Sequence, residues 1–167
     1  NALMIREMPT AIKSQEATIQ NVTQNSSVGT DVTAQRGDKS EIKDSIKIKK
    51  NSFGSKNFTI ETTLPYGLEF DDKLNLRLNG TEIPEKLYEI SGQKLKFPNL
   101  NLENTSNDLL KEYVIAFNEK VSDGAAIGKS LNTNFHLTNP DALEVDYTSN
   151  NVSVTVENPP AANLVLH

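Results

Sequence analysis

The clearest structural signal in this chain is the stretch Ile42-Lys43-Asp44-Ser45-Ile46-Lys47-Ile48. Its three isoleucines fall on one face of an extended backbone and its two lysines on the other, a period of two that indicates a β-strand with one buried face. Asp44 shares the isoleucine face. Similar alternation recurs at 58–62, 74–78, 95–97, 113–117, 131–137 and 152–156. The pattern predicts antiparallel sheets with one solvated face.

Turn-forming residues separate these segments. Asn79-Gly80 is the best hairpin candidate, because both residues tolerate positive φ. One stretch, 107–112, carries a weak helix signal, and the strand-like run 113–117 follows it directly. Other turn signals are Arg36-Gly37-Asp38, Phe53-Gly54-Ser55, Pro65-Tyr66-Gly67, Ser91-Gly92, Asp123-Gly124, Asn139-Pro140 and Ser149-Asn150-Asn151. Strands at this spacing predict a β-sandwich.

Composition limits the class of protein. The 167 residues suit one domain, and 36% hydrophobic residues allow a modest core. A net charge of −5 is too small for disorder and has the wrong sign for a nucleic-acid-binding domain. The absence of cysteine excludes disulfides, thiolate metal sites and cysteine nucleophiles. No apolar run approaches the roughly 18–20 residues that span a bilayer.

The domain boundaries follow from the same pattern. We expect a single sandwich over residues 1–158, in which residues 1–35 supply one or two opening strands. Pro159-Pro160 cannot continue a strand, so residues 159–167 are expected to form a linker or tail. The chain begins at Asn1 without a visible signal peptide, and we expect it to be a mature chain or a piece of a longer protein.

From Gly37 onward, the order of features resembles a module of Gram-positive surface proteins. Gly37-Asp38 precedes the alternating strand 42–48, which ends in Lys50-Asn51. The most specific match is Leu64-Pro65-Tyr66-Gly67-Leu68-Glu69-Phe70, and the strand 152–156 closes the pattern. These features are similar to DUF11-type repeats and to the Ig-like domains of pilins and adhesins, over about residues 30–158. Asp44 departs from the family's usual apolar residue, and the segment 118–150 is longer and more polar than usual.

The resemblance implies an all-β, Ig-like antiparallel β-sandwich of about seven to ten strands. It also implies an extracellular location on the bacterial cell wall and a role as a stalk, spacer or adhesin domain. The expected partners are neighbouring modules of the same surface protein, with a host extracellular-matrix protein or glycan as a further candidate. No cofactor, catalytic residue or membrane-inserted segment is expected.

The resemblance also implies a candidate intramolecular isopeptide bond, because some related domains join a strand lysine to a last-strand asparagine beside a buried acid. Asp44 would be that acid, since its phase predicts burial and a buried lone carboxylate is costly. Asn158 continues the inward phase of the last strand. Lys13 lies in the expected first strand, where related domains place their lysine, and Lys111 is the reserve. The simpler alternative is that Asp44 contacts water and Asn158 only forms a turn before Pro159.

Three further candidate sites have simple structural explanations. Arg36-Gly37-Asp38 matches an integrin-type tripeptide, but the family's turn accounts for the Gly-Asp pair. Calcium needs roughly six to eight oxygens, and neither acidic cluster has EF-hand spacing, so we expect solvated loops and no metal site. His136 falls out of phase with its buried neighbours, and no nucleophile-elbow motif accompanies it. The acidic clusters are Glu69, Asp71 and Asp72, and Asp141, Glu144 and Asp146; the other histidine is His167.

The function predicted from the sequence is structural. The alternative is a binding module for a host protein or glycan, which would need an exposed aromatic or apolar patch. Four tyrosines and no tryptophan argue against a sugar site. An enzyme is not expected, because no catalytic constellation is present.

Overall fold

The computed structural model describes residues 21–24, 29–49 and 57–159. This part of the chain contains strands and one short 3-10 turn at Glu85–Leu87, and no α-helix. The strands are β1 (Asn21–Gln24), β2 (Asp31–Ala34), β3 (Lys39–Lys49), β4 (Asn57–Thr63), β5 (Leu68–Phe70), β6 (Arg77–Leu78), β7 (Thr81–Glu82), β8 (Glu89–Ser91), β9 (Lys94–Asn101), β10 (Leu110–Val121), β11 (Ser130–Thr133), β12 (His136–Asn139), β13 (Ala142–Thr148) and β14 (Val152–Val156).

The largest sheet is built on a long antiparallel pair. β3 and β10 are paired from Leu110↔Lys49 to Lys120↔Lys39, and the full order is β1-β3-β10-β6-β7, with β5 also paired to β10. Alternation places Ile42, Ile46 and Ile48 on the buried face of β3. The strand predicted from that stretch is therefore confirmed, with its isoleucines in the core.

Two smaller sheets complete the structure. A five-stranded antiparallel sheet has the order β13-β12-β4-β9-β8, and a three-stranded sheet has the order β11-β14-β2. In the latter, β2 runs parallel to β14, a pairing that the long intervening chain permits because no tight hairpin has to join the two strands. The prediction of an all-β sandwich is confirmed, with this one parallel pair as an exception among the described strands.

Aromatic side chains join the sheets into one core. The Phe117 ring of β10 lies 6.1 Å from that of Phe135, beside β12, and 5.6 Å from that of Phe70 in β5. Phe58 and Phe97 from the five-stranded sheet are equally buried. Burial of each such side chain contributes roughly 1.5–3 kcal/mol.

The local predictions differ in outcome. The Asn79-Gly80 hairpin is confirmed, because Leu78 pairs with Thr81 across it. The weak helix signal at 107–112 is wrong, because residues 106–109 form bends and β10 begins at Leu110. The single strand expected at 131–137 is wrong. The chain forms β11 and β12 in two different sheets, while its period of two continues through the junction.

The described residues form fourteen strands, and the count agrees with the expected range when the four shortest are left out. Within the described residues, β5, β6, β7 and β8 have only two or three residues each. The other ten strands fall at the upper end of the expected seven to ten. Most of the opening segment 1–35 and nearly all of the tail 159–167 lie outside the described residues, so the domain boundaries stay a prediction.

Candidate functional site

Asp44 is a carboxyl group enclosed by the core. It lies in the middle of β3 opposite Ile115 of β10, and its side chain is 0% exposed. Neither carboxyl oxygen has a hydrogen-bond partner among the described residues. Burial raises its pKa to about 8, because the charged form is poorly solvated there. At neutral pH the group therefore holds its proton, which is the state that a general acid needs.

Glu119 is a second buried carboxyl, which the sequence reasoning missed. It lies on β10, is 0% exposed, and accepts a hydrogen bond of 3.1 Å from the Ser40 hydroxyl. Desolvation raises its pKa to about 7, and the Ser40 bond opposes that rise. The sequence does indicate its burial, because the alternation of inward-facing residues at Tyr113, Ile115 and Phe117 continues to Glu119.

The two buried acids are separate groups. Glu119 pairs with Ser40 on β3, four positions before Asp44. At about 3.3 Å per residue, the two positions are roughly 13 Å apart along the strand. Each carboxyl therefore titrates in its own environment, and they do not form a proton-sharing pair.

The lysine and asparagine residues proposed to form an isopeptide bond beside Asp44 lie elsewhere. Lys13 lies outside the described residues. Lys111 is half-buried with its Nζ 5.0 Å from the centre of the Tyr113 ring, and it pairs with Ile48, four positions beyond Asp44.

Asn158 is exposed, which corrects the expectation that it points inward. β14 ends at Val156, and Pro159 prevents the strand from continuing. Among the described residues, the structure brings neither Lys111 nor Asn158 to Asp44.

Another asparagine has the burial that Asn158 lacks. Asn139 at the end of β12 is 2% exposed and faces the core with Leu137. Its Oδ1 accepts a hydrogen bond of 2.9 Å from the Asp141 amide, while its Nδ2 has no partner among the described residues. The sequence reasoning assigned Asn139 to a turn, because Pro140 follows it.

The Arg36-Gly37-Asp38 tripeptide forms an exposed turn between β2 and β3. Asp38 closes the turn, with its amide 3.0 Å from the Gln35 carbonyl, and Gly37 has a φ of 86°. The charged side chains bond within the domain. The Arg36 Nε donates to the Ala125 carbonyl at 2.8 Å, and the Asp38 Oδ2 accepts from the Gln35 amide at 2.8 Å. The fold accounts for all three residues, and integrin binding stays a prediction.

Basic side chains neutralise part of the acidic clusters. Asp71 lies 3.3 Å from the Lys39 Nζ and Glu69 lies 3.8 Å from the Lys120 Nζ. Asp146 bonds to His136, which is half-exposed as its phase predicted. Across the described ranges, no three acidic or histidine side chains are grouped as metal ligands. Nor does this part of the chain contain a helix of the length and apolarity that a bilayer crossing needs.

The fold is that of pilin and adhesin domains of Gram-positive bacteria. The major pilin subunit BcpA of Bacillus cereus superposes with a TM-score of 0.58 at 18% identity, over 80% of this chain and 39% of that one. The N-terminal domain of the Streptococcus gordonii adhesin Sgo0707 superposes with a TM-score of 0.57 at 12% identity, over 81% of this chain and 31% of that one.

The Corynebacterium diphtheriae major pilin SpaA gives a TM-score of 0.50 at 18% identity, over 79% of this chain and 37% of that one. The SpaA structure was described as pointing to a modular pilus assembly with stabilizing isopeptide bonds. This chain therefore spans about two fifths or less of these three structures. No family model matches the sequence, and no curated protein matches it.

Proposed function

We propose that this domain is a structural or adhesive module of a cell-wall-anchored surface protein in a Gram-positive bacterium. The observation that carries the proposal is the superposition on BcpA over 80% of the chain. A buried core shared by three sheets suits a rigid spacer. The narrower DUF11-type assignment belongs to the same proposal and rests on the sequence pattern alone.

Fractionation of the producing bacterium tests this role. An antibody against the domain should detect it in the wall fraction released by a muralytic enzyme. A ladder of high-mass species would assign the module to a polymerised pilus, and a single discrete band would assign it to a monomeric adhesin or stalk. Detection only in the cytoplasmic fraction would refute the proposal.

We also propose that Asp44 assists formation of a lysine–asparagine isopeptide bond. In this reaction the neutral lysine amine attacks the side-chain carbonyl carbon of asparagine, the new C–N bond forms, and ammonia leaves. A protonated acid beside the two groups polarises the amide and transfers the proton. The support is the buried position of Asp44, whose carboxyl oxygens lack partners among the described residues.

The lysine candidates are Lys13 and the reserve Lys111, and the asparagine candidates are Asn158 and the buried Asn139. Intact mass under denaturing conditions should be lower than the sequence mass by one ammonia. Peptide mapping then identifies the joined residues, and Asp44→Ala should restore the unmodified mass. An unmodified mass in the parent protein would rule the bond out and leave the structural role unaffected.

A further inference from the structure

The β6–β7 hairpin turns through two residues that are both exposed. Asn79 has a φ of 49° and Gly80 a φ of 81°, which is the pattern of a type I′ turn. An added Cβ at Gly80 would meet nothing within 4 Å. Gly80 therefore has no side chain that hinders approach of its amide nitrogen to the Asn79 side chain, and the space beside its Cα is open.

Asn79 is also bonded to the neighbouring strand β10. Its Oδ1 accepts a hydrogen bond of 2.7 Å from the Val114 amide, and its own amide donates to the Val114 carbonyl at 2.9 Å. Its Nδ2 lies 3.4 Å from the Glu112 carbonyl. These contacts hold the carboxamide against β10 and extend the short β6–β10 pairing by one residue.

We propose that Asn79-Gly80 is a site of spontaneous deamidation that opens only when Asn79 leaves β10. The Gly80 nitrogen attacks the Asn79 Cγ, a C–N bond forms, and ammonia leaves to give a cyclic imide. Water then opens the ring to aspartate or isoaspartate. No enzyme or cofactor is needed. In the folded domain, the hydrogen bonds to Val114 hold the Asn79 side chain against β10. The Cγ can therefore be attacked by the Gly80 nitrogen only after the hairpin opens.

The products would weaken the hairpin that produced them. Aspartate replaces the Nδ2 donor with an oxygen that faces the Glu112 carbonyl, so that contact becomes repulsive. Isoaspartate adds a backbone methylene to a two-residue turn, which alters the pairing of Leu78 with Thr81. Deamidation at this position would therefore irreversibly destabilise one edge of the largest sheet.

The test compares deamidation in the folded and unfolded chain. Native and urea-unfolded protein are incubated at mildly alkaline pH, and peptide mapping follows Asp and isoaspartate at Asn79. Because opening breaks about two hydrogen bonds, we expect the native rate to be lower by about tenfold or more. Asn75 is a control, because it is also exposed with a φ of 49° but precedes Leu76. It should react slowly in both states.

The Ile83→Ala variant tests whether the deamidation rate depends on local opening of the hairpin or only on the solvent exposure of Asn79. Ile83 is 5% exposed and its amide bonds the Leu76 carbonyl at 3.0 Å, so its truncation loosens the hairpin without changing the Asn-Gly pair. We expect faster deamidation in native Ile83→Ala and an unchanged rate in urea. Equal rates for native and unfolded parent protein would overturn the proposal. That comparison stands even if the variant does not fold.

Discussion

At the scale of single residues, the two buried acids Asp44 and Glu119 lie on the paired strands β3 and β10, with both side chains directed into the core. The phase of β3 predicted the burial of Asp44, because alternation fixes which face a side chain takes. Glu119 obeys the same rule on β10 and was missed only because the strand was read as ending at Phe117. Asn158 failed for the opposite reason, since its phase was extended past the end of β14. Side-chain direction is thus predictable inside a strand and not beyond it.

The raised pKa values of Asp44 and Glu119 predict that stability falls as pH rises. In the unfolded chain these groups ionise near 3.8 and 4.5, whereas in the folded chain they hold their protons to about 8 and about 7. The stabilisation is complete below the unfolded pKa values. It is lost progressively through the window between the unfolded and folded values, at up to about 1.4 kcal/mol per pH unit for each group.

Chemical denaturation at several pH values measures this slope. Asp44→Asn should remove the Asp44 share of the slope between about pH 4 and pH 8, since the amide does not titrate there, and leave the share of Glu119. Asp72→Asn is the matched control, because Asp72 is exposed, and it should leave the slope unchanged. An Asp44→Asn variant with the same slope as the parent protein would show that Asp44 does not contribute to the pH dependence.

At the scale of elements, glycine determines how the loop after β4 reaches β5. Gly67 has a φ of 109°, and a Cβ placed there would lie 2.9 Å from Leu131 Cδ1 and 3.4 Å from the Ala125 Cβ. The backbone therefore passes directly over the side chains of β11 and the loop before it. The Leu-Pro-x-Gly-Leu-x-Phe motif in the sequence thus has a packing role as well as a turn role.

Gly67→Ala should lower the free energy of unfolding by roughly 1–3 kcal/mol, from backbone strain and the contact with Leu131 together. Gly92→Ala is the matched control. It has a φ of 60° but meets nothing within 4 Å, so it carries the backbone strain alone. Urea unfolding of both variants checks the difference. Equal losses would mean that the Leu131 side chain moves aside at no cost.

At the scale of the whole molecule, the three sheets share one core. The Phe117 ring contacts Phe70 within the largest sheet and Phe135 beside β12, and the buried residues make a single cluster. Unfolding of the described part should therefore be cooperative, as in most single domains of this size.

Phe117→Leu tests this coupling. We expect a loss of roughly 1–3 kcal/mol, because the smaller side chain leaves a void between two sheets, with a single transition retained. Tyr66→Leu is the control, since Tyr66 is 75% exposed, and it should change stability by less than about 0.5 kcal/mol. Fluorescence cannot follow a chain without tryptophan well, so circular dichroism in urea is the measurement. Two separate transitions in Phe117→Leu would show that the sheets fold independently.

The sequence by itself determined the all-β class, most strand positions, the Asn79-Gly80 hairpin and the burial of Asp44. These follow from local rules, because a period of two and the φ preference of glycine act within a few residues. Tertiary structure decided which strands pair, why 131–137 divides between two sheets, and that β2 lies parallel to β14. It also decided that Asn139 is enclosed by the core while Asn158 is exposed. Those outcomes depend on residues distant in sequence, whose packing against one another no local pattern records.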